Sequence, residues 1–354
     1  MSKSLQTRFE SFLPMPFKPL PRRIHALSSL ICLLALLSLS PAAQAALFKD
    51  AQLQSLLDAG RYEDLERASK VRLKLKPDDV QALAGAALGS SDAYDVARLD
   101  VAAKLAQTCR ERGPQEAICY YAAAEVMGHQ VQMINPLKAV AMVGRLKDAL
   151  HKALELDPTL YAARSKLVQL YLFTPQMLGG SAAKAKALEA EIRASQPEQA
   201  RLLRSLVAAA AEKWPEAERE LMAVRAGSDG ALLADVREAT SQLGRHWMRE
   251  QQFDKARSLF EQLQRDQPSQ AMASYCLARL ALDQGQNQAA VQHLERAKNL
   301  AGAQQLPIDH RLGEAWLALD DKAAAKAAFS RAASDKHIRP NYAKDARKSL
   351  AELG

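Results

Sequence analysis

The chain has 354 residues, is 48% hydrophobic and carries a formal net charge of +8, so it is long and apolar enough to build a continuous core. Residues 1–45 hold five basic residues and one acidic residue, which is +4 and leaves +4 for residues 46–354. Nucleic-acid binding needs a clustered basic surface, which this small remaining charge does not favour. We therefore expect no nucleic-acid partner.

Residues 1–45 have the pattern of a secretory signal peptide. Arg22 and Arg23 precede a largely apolar run over 27–39, and Ala43-Gln44-Ala45 supplies small residues at a cleavage site. The apolar run is shorter than a membrane span requires. We predict cleavage after Ala45, export to the periplasm, and no membrane span in the mature chain. A retained N-terminal anchor is the alternative, and both Met1 and Met15 remain candidates for the start codon.

From residue 46 onward the sequence favours helices throughout. Apolar residues recur at spacings of three and four, and no alternating run rich in Val, Ile and Thr interrupts them. Turn residues divide residues 46–226 into five predicted helix pairs. These pairs end near Pro77, Arg112, Pro158, Pro197 and Val224. The segment 227–230 (Gly-Ser-Asp-Gly) is the clearest break in the mature chain.

A repeat of about 34 residues organises the sequence beyond this break. Within 231–338, Leu243, Gly244, Trp247 and Phe260 return as Leu277, Ala278, Ala281 and Leu294, and again as Leu312, Gly313, Trp316 and Phe329. Small and aromatic residues at this period are typical of tetratricopeptide helix-turn-helix repeats. Residues 341–353 are amphipathic and charged, as expected for a capping helix that covers the last repeat.

On these residues the chain is identified as a member of the tetratricopeptide-repeat (TPR) superfamily. The resemblance covers residues 46–354, with 46–226 the divergent N-terminal repeats and 231–338 the best-matched ones. It implies an all-α fold, a right-handed α-solenoid of about eight TPR-like repeats with a C-terminal capping helix. Residues 135–138 (Asn-Pro-Leu-Lys) and the loop 175–181 also resemble secreted TPR proteins of Gram-negative bacteria. That resemblance implies a periplasmic protein of such a bacterium.

Two cysteines flank a predicted turn between helices. Cys109 and Cys119 lie on either side of Arg112-Gly113-Pro114, so an antiparallel helix pair would bring them face to face. Export permits a disulfide between them, whereas two free thiols packed in the core are the other interpretation. Both interpretations stay open. Cys276 occupies a packing position in its repeat, and we expect it to be buried and unreactive.

No pattern in the chain predicts catalysis, a cofactor or a metal ion. The seven histidines are scattered and form neither a His-x-x-x-His pair nor a Cys/His ligand set. No Gly-x-Ser-x-Gly turn is present. Gly179-Gly180-Ser181 lacks the adjacent lysine and the preceding strand of a P-loop, so we interpret it as a turn in which Ser181 caps the next helix. We predict a protein that is not an enzyme and has no cofactor.

The resemblance also implies where a partner binds. In TPR solenoids the first helix of each repeat lines the concave face. The family's groove offsets fall here on Arg201, Arg204, Arg245, Met248, Arg249, Tyr275, Arg279 and His310. Guanidinium groups bind carboxylates through paired hydrogen bonds, so these arginines suit a carboxylate-bearing peptide. A solvated polar face without a ligand is the alternative.

The predicted function is that of a periplasmic, non-catalytic scaffold or adaptor that binds a protein or peptide segment in the concave TPR groove. The alternative comes from the loop 175–181, which resembles that of a TPR subunit associated with TRAP-type solute transporters. Such a subunit oligomerises and docks a substrate-binding protein. The chain lacks the lipoprotein signal expected there, because Ile31 precedes Cys32. The sequence indicates neither the partner's identity nor the oligomeric state.

Overall fold

A computed structural model describes residues 46–354, except for the side chains at positions 136 and 137. The predicted signal peptide, with its cleavage after Ala45, lies outside the described residues. The described chain contains seventeen α-helices, two short 3₁₀ turns and no β-strand. The helices are α1 (Ala51–Asp58), α2 (Tyr62–Leu75), α3 (Val80–Ser90), α4 (Val96–Arg112), α5 (Ala117–Val131), α6 (Pro136–Leu156), α7 (Tyr161–Phe173), α8 (Ala182–Ile192), α9 (Pro197–Ala210), α10 (Trp214–Met222), α11 (Gly230–Arg249), α12 (Phe253–Asp266), α13 (Ala271–Asp283), α14 (Asn287–Lys298), α15 (Ile308–Ala318), α16 (Lys322–Ser334) and α17 (Pro340–Glu352).

The helices pair in chain order into eight repeats. Each odd-numbered helix from α1 to α15 packs against the even-numbered helix that follows it, and each pair packs against the next pair. The last helix, α17, packs against α16 and α15 and covers the end of the array. The predicted all-α solenoid of about eight repeats with a C-terminal capping helix is confirmed.

Polar side chains fix where several helices begin. The N-cap residues whose side chains accept a hydrogen bond from a backbone N–H of the first turn are Asp50, Asp79, Asp95, Asn135, Ser181, Asp229 and Asp321. Those N–H groups have no partner inside the helix, and satisfying them contributes about 1 kcal/mol per cap. Ser181 Oγ, for example, accepts from Lys184 N at 3.2 Å. The loop 175–181 therefore ends in a helix cap rather than in a phosphate-binding turn.

Glycine on a first helix lets an aromatic ring of the second helix approach closely. Gly244 of α11 lies against Phe260 of α12, and an added Cβ would fall 2.2 Å from the ring. Gly313 of α15 has the same relation to Phe329 of α16, at 2.5 Å. Both phenylalanines are fully buried. The recurrent small and aromatic residues of the sequence are thus the contact points between the helices of a pair.

The turn between α4 and α5 carries a disulfide that links the second repeat to the third. Cys109 and Cys119 are joined there, with their Cα atoms 5.3 Å apart. Cys276 of α13 is buried, and burial raises the pKa of its thiol to about 11 because the thiolate would lose its hydration. At neutral pH this thiol stays protonated, which makes it a poor nucleophile.

We predict that Gly313→Ala destabilises the protein by about 1–3 kcal/mol, because the new methyl group would overlap the Phe329 ring. This sign is opposite to helix propensity, which favours alanine. The matched control is Gly144→Ala in α6, where no atom lies within 4 Å of the added Cβ. There we expect a stabilisation of roughly 0.5–1 kcal/mol. Urea unfolding followed by circular dichroism measures both, and a stabilised Gly313→Ala would contradict the packing described.

Removing the disulfide should lower the free energy of unfolding. The bridged cysteines are 10 positions apart, and chain entropy gives about 2–3 kcal/mol for a loop of that size. We expect the double variant Cys109→Ser, Cys119→Ser to lose about this amount relative to the oxidised protein. Adding dithiothreitol should destabilise the wild type and leave the double variant unchanged. If the reductant has no effect on the wild type, the bridge contributes nothing to stability.

Candidate binding surface

Two of the predicted groove residues are engaged with second helices. Arg204 of α9 forms ion pairs with Glu189 of α8 at 2.7 Å and with Glu220 of α10 at 3.4 Å. Arg201 Nη1 donates to the carbonyl oxygen of Ala223 at 2.9 Å, at the end of α10. Both guanidinium groups are half-buried and make contacts within the fifth repeat and its neighbour.

Three more predicted residues lie in the core. Met248 of α11 and Tyr275 of α13 are buried. His310 of α15 is also buried, with its ring centroid 5.9 Å from that of Phe329 and 5.3 Å from that of Tyr342 in the capping helix. Burial lowers the pKa of His310, so at neutral pH it packs as an uncharged aromatic ring. These side chains stabilise the last repeats rather than facing a partner.

An arginine that the sequence reasoning missed organises this same region. Arg311 of α15 donates to Glu314 at 2.6 Å, and its guanidinium carbon lies 5.6 Å from the ring centroid of Tyr342. Burial raises the pKa of the Tyr275 hydroxyl, and the positive charge of Arg311 partly offsets that rise. Arg279, the remaining predicted residue on α13, is half-buried one turn beyond Tyr275. The predicted groove residues are thus spread over the first helices α9, α11, α13 and α15, and His310 among them lies against the capping helix.

Arg245 and Arg249 of α11 lie at an open pocket of about 230 Å³. The pocket is lined by residues of α9, α10 and α11, together with Phe173 at the end of α7. Its remaining lining is mostly apolar and consists of Phe173, Ser205, Leu206, Ala209, Ala210, Trp214, Ala217, Ala239, Gln242 and Leu243. We call this site the arginine pocket.

The two arginines of the pocket differ in how they are held. Arg245 Nη1 donates to Ser241 Oγ at 2.8 Å, and Arg245 Nη2 lies 3.6 Å from the carboxylate of Glu238. Arg249 is exposed, and no carboxylate of residues 46–354 forms an ion pair with it. One oriented and one free guanidinium beside apolar side chains suit a segment that carries a carboxylate next to an apolar residue.

An aromatic stack forms one wall of the arginine pocket. Trp214, the first residue of α10, stacks on His246 of α11 with ring centroids 3.7 Å apart and planes at 12°. Burial lowers the pKa of His246, so this ring is uncharged at neutral pH. The positive charge at the pocket therefore comes from Arg245 and Arg249.

The two ends of the helical array meet. Between the α3–α4 loop and the α16–α17 loop, Tyr94 N donates to Lys336 O at 2.7 Å. Lys336 Nζ lies 2.7 Å from Asp95 Oδ2, and His337 Nδ1 lies 2.8 Å from Asp92 O, although 241 and 245 positions separate these partners. We call these five residues the seam. The seam joins the second repeat to the last one and closes the solenoid on itself.

Polar side chains of first helices also bind one another between repeats. Lys166 of α7 forms an ion pair with Glu125 of α5 at 3.0 Å, and the hydroxyl of Tyr161 in α7 donates to Asp235 of α11 at 2.7 Å. Burial raises the pKa of the Asp235 carboxyl because its charged form loses hydration there. This part of the concave side is occupied by contacts within the chain, whereas the arginine pocket is open.

In its helix pairs and in the residues that join them, the chain resembles the TPR proteins. Similar solved structures include a TPR protein from Parabacteroides merdae, with 17% identity, 82% of this chain and 98% of that chain covered and a TM-score of 0.42. PilF of Pseudomonas aeruginosa has 16% identity, coverage of 67% and 99% and a TM-score of 0.39. Yeast Tom70 has 13% identity, coverage of 92% and 78% and a TM-score of 0.42. No protein-family model and no curated protein matches the sequence. With TM-scores below 0.5, these likenesses carry no argument about function.

Residues 46–354 contain neither a group of metal ligands nor a helix that could cross a membrane. No three His, Cys, Asp or Glu side chains of this range lie together in a way that could hold a metal ion. None of its helices combines the length and the apolar character that a membrane span requires.

Asp92 in the seam should make stability depend on pH. Its carboxyl is buried, accepts a hydrogen bond from Gln305 Nε2 at 2.9 Å, and has its pKa raised to about 6 by loss of hydration. The native state therefore binds this proton more tightly than the unfolded chain, whose carboxyl has an ordinary pKa of about 3.9. The stability contributed by protonated Asp92 is present below about pH 4 and is lost as the pH rises to about 6.

We predict that the stability of Asp92→Asn, which cannot ionise, rises relative to that of wild type by roughly 2–3 kcal/mol when the pH is raised from about 4 to about 7. Urea unfolding of both proteins at the two pH values measures the change in their difference. Comparing the difference removes the titrating groups that do not interact with Asp92, since both proteins share them. If the difference between the proteins is the same at both pH values, the pKa of the Asp92 carboxyl is not raised in the native state.

Proposed function

We propose that this chain is a non-catalytic interaction scaffold of the periplasm that binds an acidic segment of a protein partner in the arginine pocket. The observation that carries the proposal is the position of Arg245 and Arg249 beside an open, mostly apolar pocket that two neighbouring repeats line together. Stacked helical repeats use the extended surfaces that they build together to bind partners. The chemistry of the pocket therefore agrees with the function that the fold supports.

The physical basis of binding is the combination of charge and apolar surface. A carboxylate of the partner would accept hydrogen bonds from Arg245 and Arg249, and hydrogen bonds to charged groups are worth about 1.5–3 kcal/mol each. Arg245 is already oriented by Ser241 and Glu238, which reduces the ordering cost of binding. An apolar side chain beside that carboxylate would fill the space between Leu206, Trp214 and Leu243, which all line the pocket.

Two features support the periplasmic part of the proposal. The basic, apolar and small-residue pattern of residues 1–45 is that of a secretory signal. The disulfide between Cys109 and Cys119 is of a kind that persists in oxidising compartments and is rare in the cytosol. N-terminal sequencing of the protein recovered from the periplasm tests this part, with Ala46 as the expected first residue.

The test of the binding site uses fluorescein-labelled short acidic peptides, each with one phenylalanine and a free C-terminal carboxylate, followed by fluorescence anisotropy. Arg245→Ala and Arg249→Ala should each weaken binding about tenfold or more, because each removes a charge-assisted hydrogen bond. Arg265→Ala, an exposed position on α12, is the control that should leave the affinity within about twofold. Arg249→Glu should reverse the preference toward basic peptides.

Two outcomes would contradict the proposed site. One is that none of the acidic peptides binds the wild-type protein, and the other is that Arg265→Ala weakens binding as much as the pocket variants do. The transporter-associated alternative makes a separate prediction, a stable oligomer that docks a substrate-binding protein. Native mass measurement of the purified mature chain distinguishes it from a monomeric scaffold.

A further inference from the structure

The end of α7 and the loop that follows it expose apolar side chains, one of which, Phe173, lines the arginine pocket. Met177 is 90% exposed, Phe173 at the end of α7 is 59% exposed and Leu178 is 40% exposed. Removing such side chains from water on binding is favourable. Single exposed apolar residues are ordinary, but a group of them in one loop marks an interaction surface. We call Phe173, Met177 and Leu178 the apolar tip.

A buried lysine holds the apolar tip in place. The side chain of Lys147 in α6 is almost fully buried, and its ammonium donates to the carbonyl oxygens of Leu178 at 3.3 Å and Gly179 at 2.8 Å. Burial lowers the pKa of Lys147, and no carboxylate of residues 46–354 forms an ion pair with it. A lysine buried without a carboxylate is costly. Its ammonium also lies 5.4 Å from the ring centroid of Tyr171 in α7, so Lys147 ties the loop backbone to both α6 and α7.

The backbone of the loop is fixed as well. Leu178 N and Gly180 N both donate to Pro175 O, at 2.9 Å and 3.1 Å. Gly179 has a φ of 82°, and a Cβ added to Gly180 would fall 1.8 Å from the carbonyl oxygen of Thr174, so both positions require glycine. The backbone of the loop is therefore already ordered, so the ordering cost of binding a partner is confined to the exposed side chains.

Phe173 connects the apolar tip to the arginine pocket, because it belongs to the tip and also lines the pocket with Arg245 and Arg249. We propose that the tip and the pocket form one docking surface for an amphipathic helix of a protein partner. In this proposal, which rests on the proposed function, an acidic residue of the helix contacts the arginines. Its apolar face covers Met177 and Leu178, in the manner of helix-in-groove recognition.

The charges at the surface favour a protein segment that is acidic as well as apolar. Arg249 is free of carboxylate partners within residues 46–354, and Lys184 lies next to the loop, with its ammonium 5.4 Å from the ring centroid of Tyr171. An acidic amphipathic helix complements both charge and apolar surface. An anionic membrane surface would complement the same charges, and binding to vesicles of anionic phospholipid distinguishes it from a protein helix.

The test compares two probes by fluorescence anisotropy. One is an acidic amphipathic peptide with an apolar stripe that spans about five helical turns, and the other is the short acidic peptide that fills only the pocket. Met177→Ser and Leu178→Ser should each lower the affinity for the long peptide about five- to tenfold, because they remove apolar area from the contact. Both variants should leave the affinity for the short peptide unchanged within about twofold. Leu75→Ser, which is 86% exposed on α2, is the matched control and should change neither.

The outcomes separate this proposal from the proposed function. If both peptides bind through Arg245 and Arg249 but the long one is insensitive to Met177→Ser and Leu178→Ser, the docking surface is wrong and the arginine pocket stands. If neither peptide binds, the proposed function fails and this proposal fails with it. Sedimentation with vesicles of anionic phospholipid that is lost in Met177→Ser, together with an unchanged long-peptide affinity, would instead assign the tip to a membrane surface.

Lys147 provides an independent readout as a positioning residue. Lys147→Met should increase the hydrogen exchange of the Leu178, Gly179 and Gly180 amides by about tenfold or more, because the loop loses its contact to α6. Lys147→Met should also lower the affinity for the long peptide about as much as Met177→Ser does, although the side chains of the apolar tip are unchanged. Met177→Ser should leave the exchange rates unchanged. Unchanged exchange in Lys147→Met would show that the lysine does not position the loop.

Discussion

An open solenoid would offer its whole concave side to a partner, but in this protein the backbone contact of Tyr94 with Lys336 and the contact of His337 with Asp92 join the second repeat to the last. Behind that closure, the Glu125–Lys166 ion pair links first helices of neighbouring repeats. These polar groups are satisfied by one another and would lose their partners if a ligand displaced them. The arginine pocket is open, and Phe173 of the apolar tip lines it.

The sequence predicted the fold because the fold depends on local periodicity. The eight helix pairs follow from apolar residues at spacings of three and four, and the pairing contacts follow from small and aromatic positions such as Gly313 and Phe329. The seam was not predictable in the same way. Its partners are about 240 positions apart, and whether two ends of a solenoid meet depends on small rotations summed over every repeat.

The candidate site was predicted only in part, for a reason that the side chains make plain. The groove offsets identified Arg245 and Arg249, which do line a pocket. The same offsets identified Arg204 and His310, because an offset places a residue on a helix face and does not reveal what covers that face. Glu189 occupies the guanidinium of Arg204, and the capping helix covers His310. The sequence did not indicate the apolar tip, because residues 175–181 have the composition of an ordinary turn.

Distance measurement across the seam tests the closure most directly. Spin labels placed at Val96→Cys and Arg339→Cys, two exposed positions that flank the seam, leave the seam contacts intact, while Cys276 is buried and Cys109 and Cys119 are bridged. Closure predicts a single narrow distribution at short distance in pulsed electron spin resonance. A broad distribution reaching to the length of an extended array would contradict it, and would reopen the whole concave side as a binding surface.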